Sequence, residues 1–547
     1  MKHLTGPLLS FLLLWTCFII QSFIVHADIP VSCEFPEVYG EWTFQKTETL
    51  YNNKVIDSKC SIDQPSLPSH VKLETFIVDL RVPDVALLKS KNGKLKKKGR
   101  WTLIFNQGVE IRLDGYKYFA FFNYTQDEKG EVTSNCDRVF VGTYHDDSIG
   151  AQRWGCFTAE RTRAPTRARQ FMKQQKLRDA MKKSSTSSDS ILEGQYVRTI
   201  PEQASSQYQD MKQYVQAINK LNKWQAAFSH RFQGKSWSDL QLLNGNRVRR
   251  SSQLSRSFIQ QEMLTSKKRN SQPFEKIRIY NGKTDQYEMV NEEELRKTLP
   301  QEFSWDNFHG RSYLTPVRDQ KRCGSCYAFG TSEHLGMRVR IQTNLTQQWI
   351  YSPQAIVDCS PYSQGCRGGC VYLASKYAQD YGLALEECSP YNITMRSAQT
   401  CNITQCPLSK QRRALRTWNY YNVGGYYGGS DELNMMVDIW RNGPLVAGFM
   451  VHEDFFYYKS GIYQHIPKEQ IAAQWSNASK DLPKFYYINH TLILYGWGID
   501  ATTGQQYWLA RNSWGDQWGE NGNVRILKGV NECGIESDAE AAIPLIL

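Results

Sequence analysis

The sequence predicts an α+β fold in two units, an antiparallel β domain followed by a larger domain that mixes helices with strands. Three stretches carry that expectation. Residues 101–105, 108–113 and 116–122 are short strand-like runs separated by Asn106-Gln107-Gly108 and Asp114-Gly115, turns of the kind that reverse a hairpin. Residues 328–341 form an amphipathic, helix-like run directly after Cys323-Gly324-Ser325-Cys326. Residues 487–498 place His490 just before an apolar, strand-like run closed by glycines.

The cysteine pair and the histidine also carry chemistry. Cys326 falls at the start of the predicted helix, where unpaired backbone N–H groups and the macrodipole favour an anion and so activate a thiol. A lone Cys-x-x-Cys is more often a disulfide, a redox pair or half a metal site. His490 and the run Arg511-Asn512-Ser513-Trp514-Gly515 change that reading, because Cys, His and Asn in this order are the parts of a thiol nucleophile, its base and the group that orients the base.

With Cys323-Gly324-Ser325-Cys326-Tyr327 these motifs resemble the papain family of cysteine peptidases over residues 299–547. The resemblance implies a two-lobed domain, one lobe helical and one a β-barrel, with an insertion between Cys406 and His490. It makes Gln320 the oxyanion-hole glutamine, Trp514 a shield for Asn512 and His490, and Gly368-Gly369 a wall along which substrate lies extended. It also implies the bridges Cys323–Cys366, Cys359–Cys401 and Cys388–Cys406, leaving Cys370 and Cys533 as small buried residues.

Residues 28–161 hold Cys33, Cys60, Cys136 and Cys156, enough for two bridges in any of three pairings. Asp28-Ile29-Pro30-Val31-Ser32-Cys33, Gly40-Glu41-Trp42 and Phe119-Ala120-Phe121-Phe122 resemble the exclusion domain of the cathepsin C (dipeptidyl peptidase I) family. That resemblance implies a β-barrel closing one end of the cleft, with Asp28 binding the free amino group of the substrate. It further implies homo-tetramers and a chloride ion held near the second subsite by Tyr372. The second chloride tyrosine of the family aligns near Asn422, beside Tyr421. Cys370 stands where the family has an aromatic, and Asp538 where an apolar residue closes the pocket floor, so a basic second substrate residue is expected.

Residues 1–27 read as a secretory signal, with Lys2 and His3, an apolar core over 8–20 and Val25-His26-Ala27 as cleavage site. No later stretch is long and apolar enough for a membrane span. Of fourteen cysteines only Cys17 lies in that leader, which fits an oxidising compartment, lysosomal or secretory. Asn123, Asn344, Asn392, Asn402 and Asn477 open glycan acceptor motifs, whereas a glycan at Asn489 would block His490.

The net charge of +12 is concentrated in a basic linker within residues 162–298 and has no nucleic-acid-binding motif around it, so nucleic acid is excluded as a partner. The run 208–233 has roughly helical spacing and resembles a propeptide helix. Residues 247–250 and 267–269 are dibasic, so the block 162–298 is expected to be excised, with a further cut before His490 into heavy and light chains. The function expected is a cysteine-type dipeptidyl aminopeptidase made as a zymogen and acting on free N-termini of peptides and proteins, with no metal. The alternatives are an endopeptidase with a passive N-terminal domain and a catalytically silent papain-fold glycoprotein.

Overall fold

A computed structural model describes residues 31–51, 60, 67, 71–90, 92–128, 131–147, 153–174, 210–232, 240, 243, 257–263, 276–393, 401, 414–474 and 488–546. The leader, Asp28, both dibasic sites, Cys406, Asn402 and Asn477 lie outside the described residues.

The first domain contains β1 (Gly40–Lys46), β2 (Leu50–Tyr51), β3 (Glu74–Arg81), β4 (Val85–Lys89) and β5 (Leu95–Ile104). It continues through β6 (Gly108–Leu113), β7 (Tyr116–Gln126), β8 (Val132–Val139), β9 (Gly142–Asp146) and β10 (Arg153–Arg163). The path β1-β3-β4-β5-β6-β7-β8-β10 returns to β1, so eight antiparallel strands close on themselves and leave no open edge. Asp114 (φ 55°) and Gly115 (φ 78°) turn β6 into β7 in the left-handed conformation that a tight hairpin needs. The expected strand 101–105 ends one residue early. Phe105 enters the turn at φ 47°, and its ring packs on Tyr427 of the second domain.

Aromatic rings fill the barrel. Phe44 stacks on Phe157 and Phe76, and Tyr118 stacks on Tyr144. Gly155 is required where Tyr144 crosses it, since a Cβ there would lie 2.4 Å from the ring. Of the three pairings open to the four cysteines, the fold uses Cys33–Cys136 and Cys60–Cys156.

The middle block contributes a helix, Asp210–Lys220, then β11 (Gln225–Ala226) and a hairpin of β12 (Lys276–Asn281) and β13 (Gln286–Asn291). The helix is shorter than the run 208–233 suggested. The Asn219 side chain bonds both the N–H and the C=O of Ala226, folding the chain back so that β11 adds to a strand of the second domain. Trp224 therefore sits beyond the helix, donating its indole N–H to the Gln464 carbonyl.

The second domain carries β14 (Phe303–Ser304), β15 (Arg416–Asn422), β16 (Leu445–Val451), β17 (Tyr458–Ser460) and β18 (Ile462–Tyr463). After these come β19 (Ile488–Ile499), β20 (Gln506–Arg511), β21 (Asn523–Leu527) and β22 (Ala539–Leu545). The sheet order is β15-β22-β16-β19-β20-β21-β18. The helices Cys326–Gln342, Pro353–Cys359 and Val371–Asp380 make the other lobe. The first of them is buried on all sides through Arg340 and packs on β16 and β19, where a Cβ on Gly330 would meet Val446 and Thr491.

The barrel docks on the second domain through β6 and β7. Glu110, buried, accepts hydrogen bonds from the hydroxyls of Tyr372 (3.0 Å) and Tyr420 (2.6 Å). Arg112 donates to Asn419 Oδ1 and the Tyr420 carbonyl, and Lys117 donates to Gln379. Burial alone would raise the Glu110 carboxyl, but Lys117 and Arg112 outweigh it and hold the carboxyl below its ordinary range. Removing one partner of such a buried ionic cluster costs about 3–5 kcal/mol. Glu110→Ala should therefore lower the urea midpoint of the intact chain by a corresponding amount. An unchanged midpoint would contradict this docking.

Candidate active site

Cys326 is the first residue of its helix, whose preceding residue, Ser325, gives no side-chain cap. The Ser325 hydroxyl is paired instead with the Tyr391 hydroxyl at 2.8 Å. The helix start is thus left to the thiol, in the position where backbone N–H groups favour a negative charge. The predicted helix 328–341 extends by two residues at this end and so includes Cys326.

His490 lies within β19 rather than ahead of it, since β19 pairs along its length with β16. Its Nε2 is 2.7 Å from Asn512 Oδ1. That oxygen also accepts the Ser513 backbone N–H at 2.8 Å, which fixes the orientation of the amide. Nε2 must then be the donor, and the lone pair of the neutral ring is on Nδ1. Trp514 lies over the imidazole, ring centres 4.9 Å apart, and stacks in parallel on Phe456. Both His490 and Asn512 are buried.

Gln320 reaches this cluster through a backbone seam. Its N–H donates to the Ser513 carbonyl, and the Gly515 N–H donates to the Arg318 carbonyl. Its side-chain oxygen accepts the Ser513 hydroxyl at 2.6 Å. The side-chain nitrogen donates to two carbonyls at 2.8 Å, those of Cys323 and Leu243.

Leu243 belongs to the middle block, and it does not act alone. Arg231 forms an ion pair with Asp319, which lies next to Gln320. Phe232 meets Trp514 and Phe456 edge to face. Burial pushes His490 down to about 4, with the Asn512 bond opposing and the Arg231 charge adding to the fall. Arg231 and Phe232 fall within the run 208–233 that resembles a propeptide helix, and Leu243 follows it, but the sequence did not single out these contacts. Nothing in their local pattern marks them, whereas Ser513 stands inside a motif already in view.

The glycine wall has its own structural demands. Gly368 has φ 122°, open to glycine alone without strain, and a Cβ on Gly369 would lie 2.7 Å from the Tyr327 ring. The Cys323–Cys366 bridge holds this loop against the catalytic helix, and Cys359–Cys401 forms nearby. Cys388 is in a disulfide, and its expected partner Cys406 lies outside the described residues. Among the described residues Cys326, Cys370 and Cys533 are in no disulfide. Cys370 and Asp538 are both buried, and burial, then the nearby Glu540 and Asp538, push the Cys370 thiol well up. Tyr372 is buried on the second turn-forming position after Cys370, and Asn422 stands opposite Glu540 between β15 and β22. Among the described residues no cluster of acids, histidines and cysteines could hold a metal ion, and no helix is long and apolar enough to cross a membrane. The acceptor residues Asn344 and Asn392 are exposed and Asn123 is half-buried.

Release of the middle block removes the Arg231 charge and the Phe232 and Leu243 contacts around the site, which shifts His490 up from about 4 toward its ordinary value near 6.5, so between those pH values the released state takes up more proton than the covered one. Acidification through that window should favour release of the middle block. Hydrogen exchange of residues 210–232 in a Cys326→Ala chain, corrected for intrinsic rates, should show more frequent opening at pH 4.5 than at pH 7. Arg231→Ala should open more often at both. Equal protection at the two pH values would contradict the coupling.

Residues 299–543 match the papain family cysteine protease domain, and residues 28–161 match the cathepsin C exclusion domain. Over 519 residues the chain is 30% identical to cathepsin C of Schistosoma mansoni, covering 93% of this chain and 94% of that protein. It is also 31% identical over 282 residues to a gut-specific cysteine proteinase of Caenorhabditis elegans, covering 48% of this chain and 80% of that one. Procathepsin B S9 from Trypanosoma congolense, a solved structure, is 26% identical with a TM-score of 0.44, covering 61% of this chain and 98% of that one. The chain belongs to the papain family of cysteine peptidases, in the group that carries a cathepsin C exclusion domain.

Proposed function

We propose that this peptidase removes dipeptides from free N-termini and is made as a zymogen whose middle block covers the site. The observation that carries the reading is the docking of the barrel, through Glu110 and Lys117 on the helix that starts at the Gly368-Gly369-Cys370 wall and through Arg112 on the neighbouring β15. A domain fixed there limits how much peptide the cleft accepts. The first described residues support Asp28 as its end stop. Phe35 contacts Tyr426 of the second domain, and Asp28 is three residues from Val31, a reach of about 10 Å.

In the reaction the Cys326 thiol passes its proton to His490 Nδ1, and the thiolate attacks the peptide carbonyl. The oxyanion is met by the Gln320 side-chain Nε2–H that now faces the Leu243 carbonyl, the hydrogen that release of the middle block would free. The imidazolium, held by Asn512, protonates the leaving amine. Water, deprotonated by the same imidazole, then hydrolyses the thioester and restores the thiol. A carboxylate at Asp538 selects a basic second residue. The location implied is the lysosome or a secretory vesicle, and the assembly a homo-tetramer.

The test compares fluorogenic dipeptides with free and N-acetylated termini on the activated protein, each with a basic or an apolar second residue. Only the free forms should be cleaved, and Cys326→Ala should abolish cleavage. Asp28→Asn should cost about 10- to 100-fold in kcat/KM, the worth of a charge-assisted bond, and Asp538→Ile should remove the preference for the basic residue. Equal cleavage of acetylated substrates would favour an endopeptidase with an open cleft.

A further inference from the structure

We propose that the Glu540 carboxyl is the resident occupant of the backbone amides that begin the helix Val371–Asp380, in place of a bound halide, and that the peptidase works without chloride. The inference rests on the dipeptidyl peptidase reading, since that reading is what implies chloride beside Tyr372. The surroundings of Tyr372 do not fit such an ion. Its backbone N–H donates to Glu540 Oε2 at 3.0 Å, and the Val371 N–H is close enough to act on the same carboxyl. Its hydroxyl is given to Glu110 of the barrel. Asn422, standing where a second tyrosine is expected, donates its amide to Thr102 at 3.4 Å. The neighbouring hydroxyls are taken as well, that of Tyr420 by Glu110 and that of Tyr421 by Asp438.

The Tyr372 amide and the hydroxyls of Tyr372, Tyr420 and Tyr421 are thus each matched to an oxygen of this chain. A chloride would have to displace a carboxyl that is covalently tethered and needs no recruitment. It would also stand beside Asp538 in a buried setting, where like charges are least screened. Glu540 is the lone acid of β22, in a strand whose other residues are apolar. Burial, then the Asp538 charge, push its carboxyl well above the ordinary range, with the two amides opposing. The second oxygen, Oε1, is buried and has no hydrogen-bond partner among the described residues. In its neutral form the carboxyl still accepts the amides through its carbonyl oxygen and still fills the volume.

The activated protein is assayed on a free-amino dipeptide substrate in chloride-free sodium acetate and in sodium chloride of equal ionic strength. Rates should agree within about twofold. Crystals soaked in sodium bromide should show no anomalous peak at the Tyr372 amide. In Glu540→Ala the amides lose their occupant, so bromide should appear there and chloride should raise activity several-fold. A wild-type rate that falls tenfold without chloride, or bromide at the Tyr372 amide of the wild type, would overturn the proposal, and these two arms decide it even if the variant does not fold. Failure to cleave the free-amino substrate in either salt would instead sink the dipeptidyl peptidase reading, and the bromide soak would still judge the carboxyl.

Discussion

The seam between residues 318–320 and 513–515 is the constraint on which the site depends. Gln320 and Ser513 lie 193 positions apart in sequence, yet two backbone bonds and one side-chain bond join their segments. That seam brings the glutamine that precedes Cys326 to the asparagine that orients His490. The bond from the Ser513 N–H to Asn512 Oδ1 then fixes the amide, and the amide fixes which ring nitrogen of His490 carries the proton. A single chain of contacts thus runs from the thiol-bearing helix to the tautomer of the base. Aromatic packing closes it to water, with Trp514 over the imidazole and Trp518 and Phe456 behind.

The same seam is where the middle block meets the site. It brings no new chemistry; it uses donors and surfaces that catalysis needs. The Leu243 carbonyl takes the Gln320 hydrogen, Phe232 lies on the tryptophan, and Arg231 anchors on Asp319 while disfavouring an imidazolium. The hairpin of β12 and β13 is a different kind of contact. It bridges the domains, with Arg278 on Asp84, Asp285 on Arg100, and Glu288 on Arg441.

Much of the site was legible in the sequence because its parts sit in compact local motifs. Cys326, His490 and Asn512 each carry neighbours, a glycine, a strand or a tryptophan, that identify them without tertiary knowledge. The hairpin turn at Asp114-Gly115 was equally plain, since few residues accept its dihedral angles. Other features had no such marker. Strands β8, β9 and β10 are less apolar or carry many charges, and they become strands through barrel closure rather than propensity. The pairing of Cys33 with Cys136 depends on the same closure. Glu110 and Glu540 look like ordinary acids in mostly apolar strands; only the docking of the barrel reveals what Glu110 accepts, and only the packing of β22 beside the helix Val371–Asp380 reveals what Glu540 accepts. The run 208–233 misled because its apolar spacing continues past Lys220, while the Asn219 side chain claims Ala226 and turns the chain.

The central claim is that a papain-type site has been narrowed to the last two residues of reach by a docked barrel. Mass spectrometry of one unmodified peptide of about ten residues, sampled over time with the activated protein, tests it directly. The account predicts a ladder of products, each shorter than the last by one N-terminal dipeptide, with no internal fragments at early times. Early cuts within the peptide, leaving fragments of odd and even length from both ends, would contradict it.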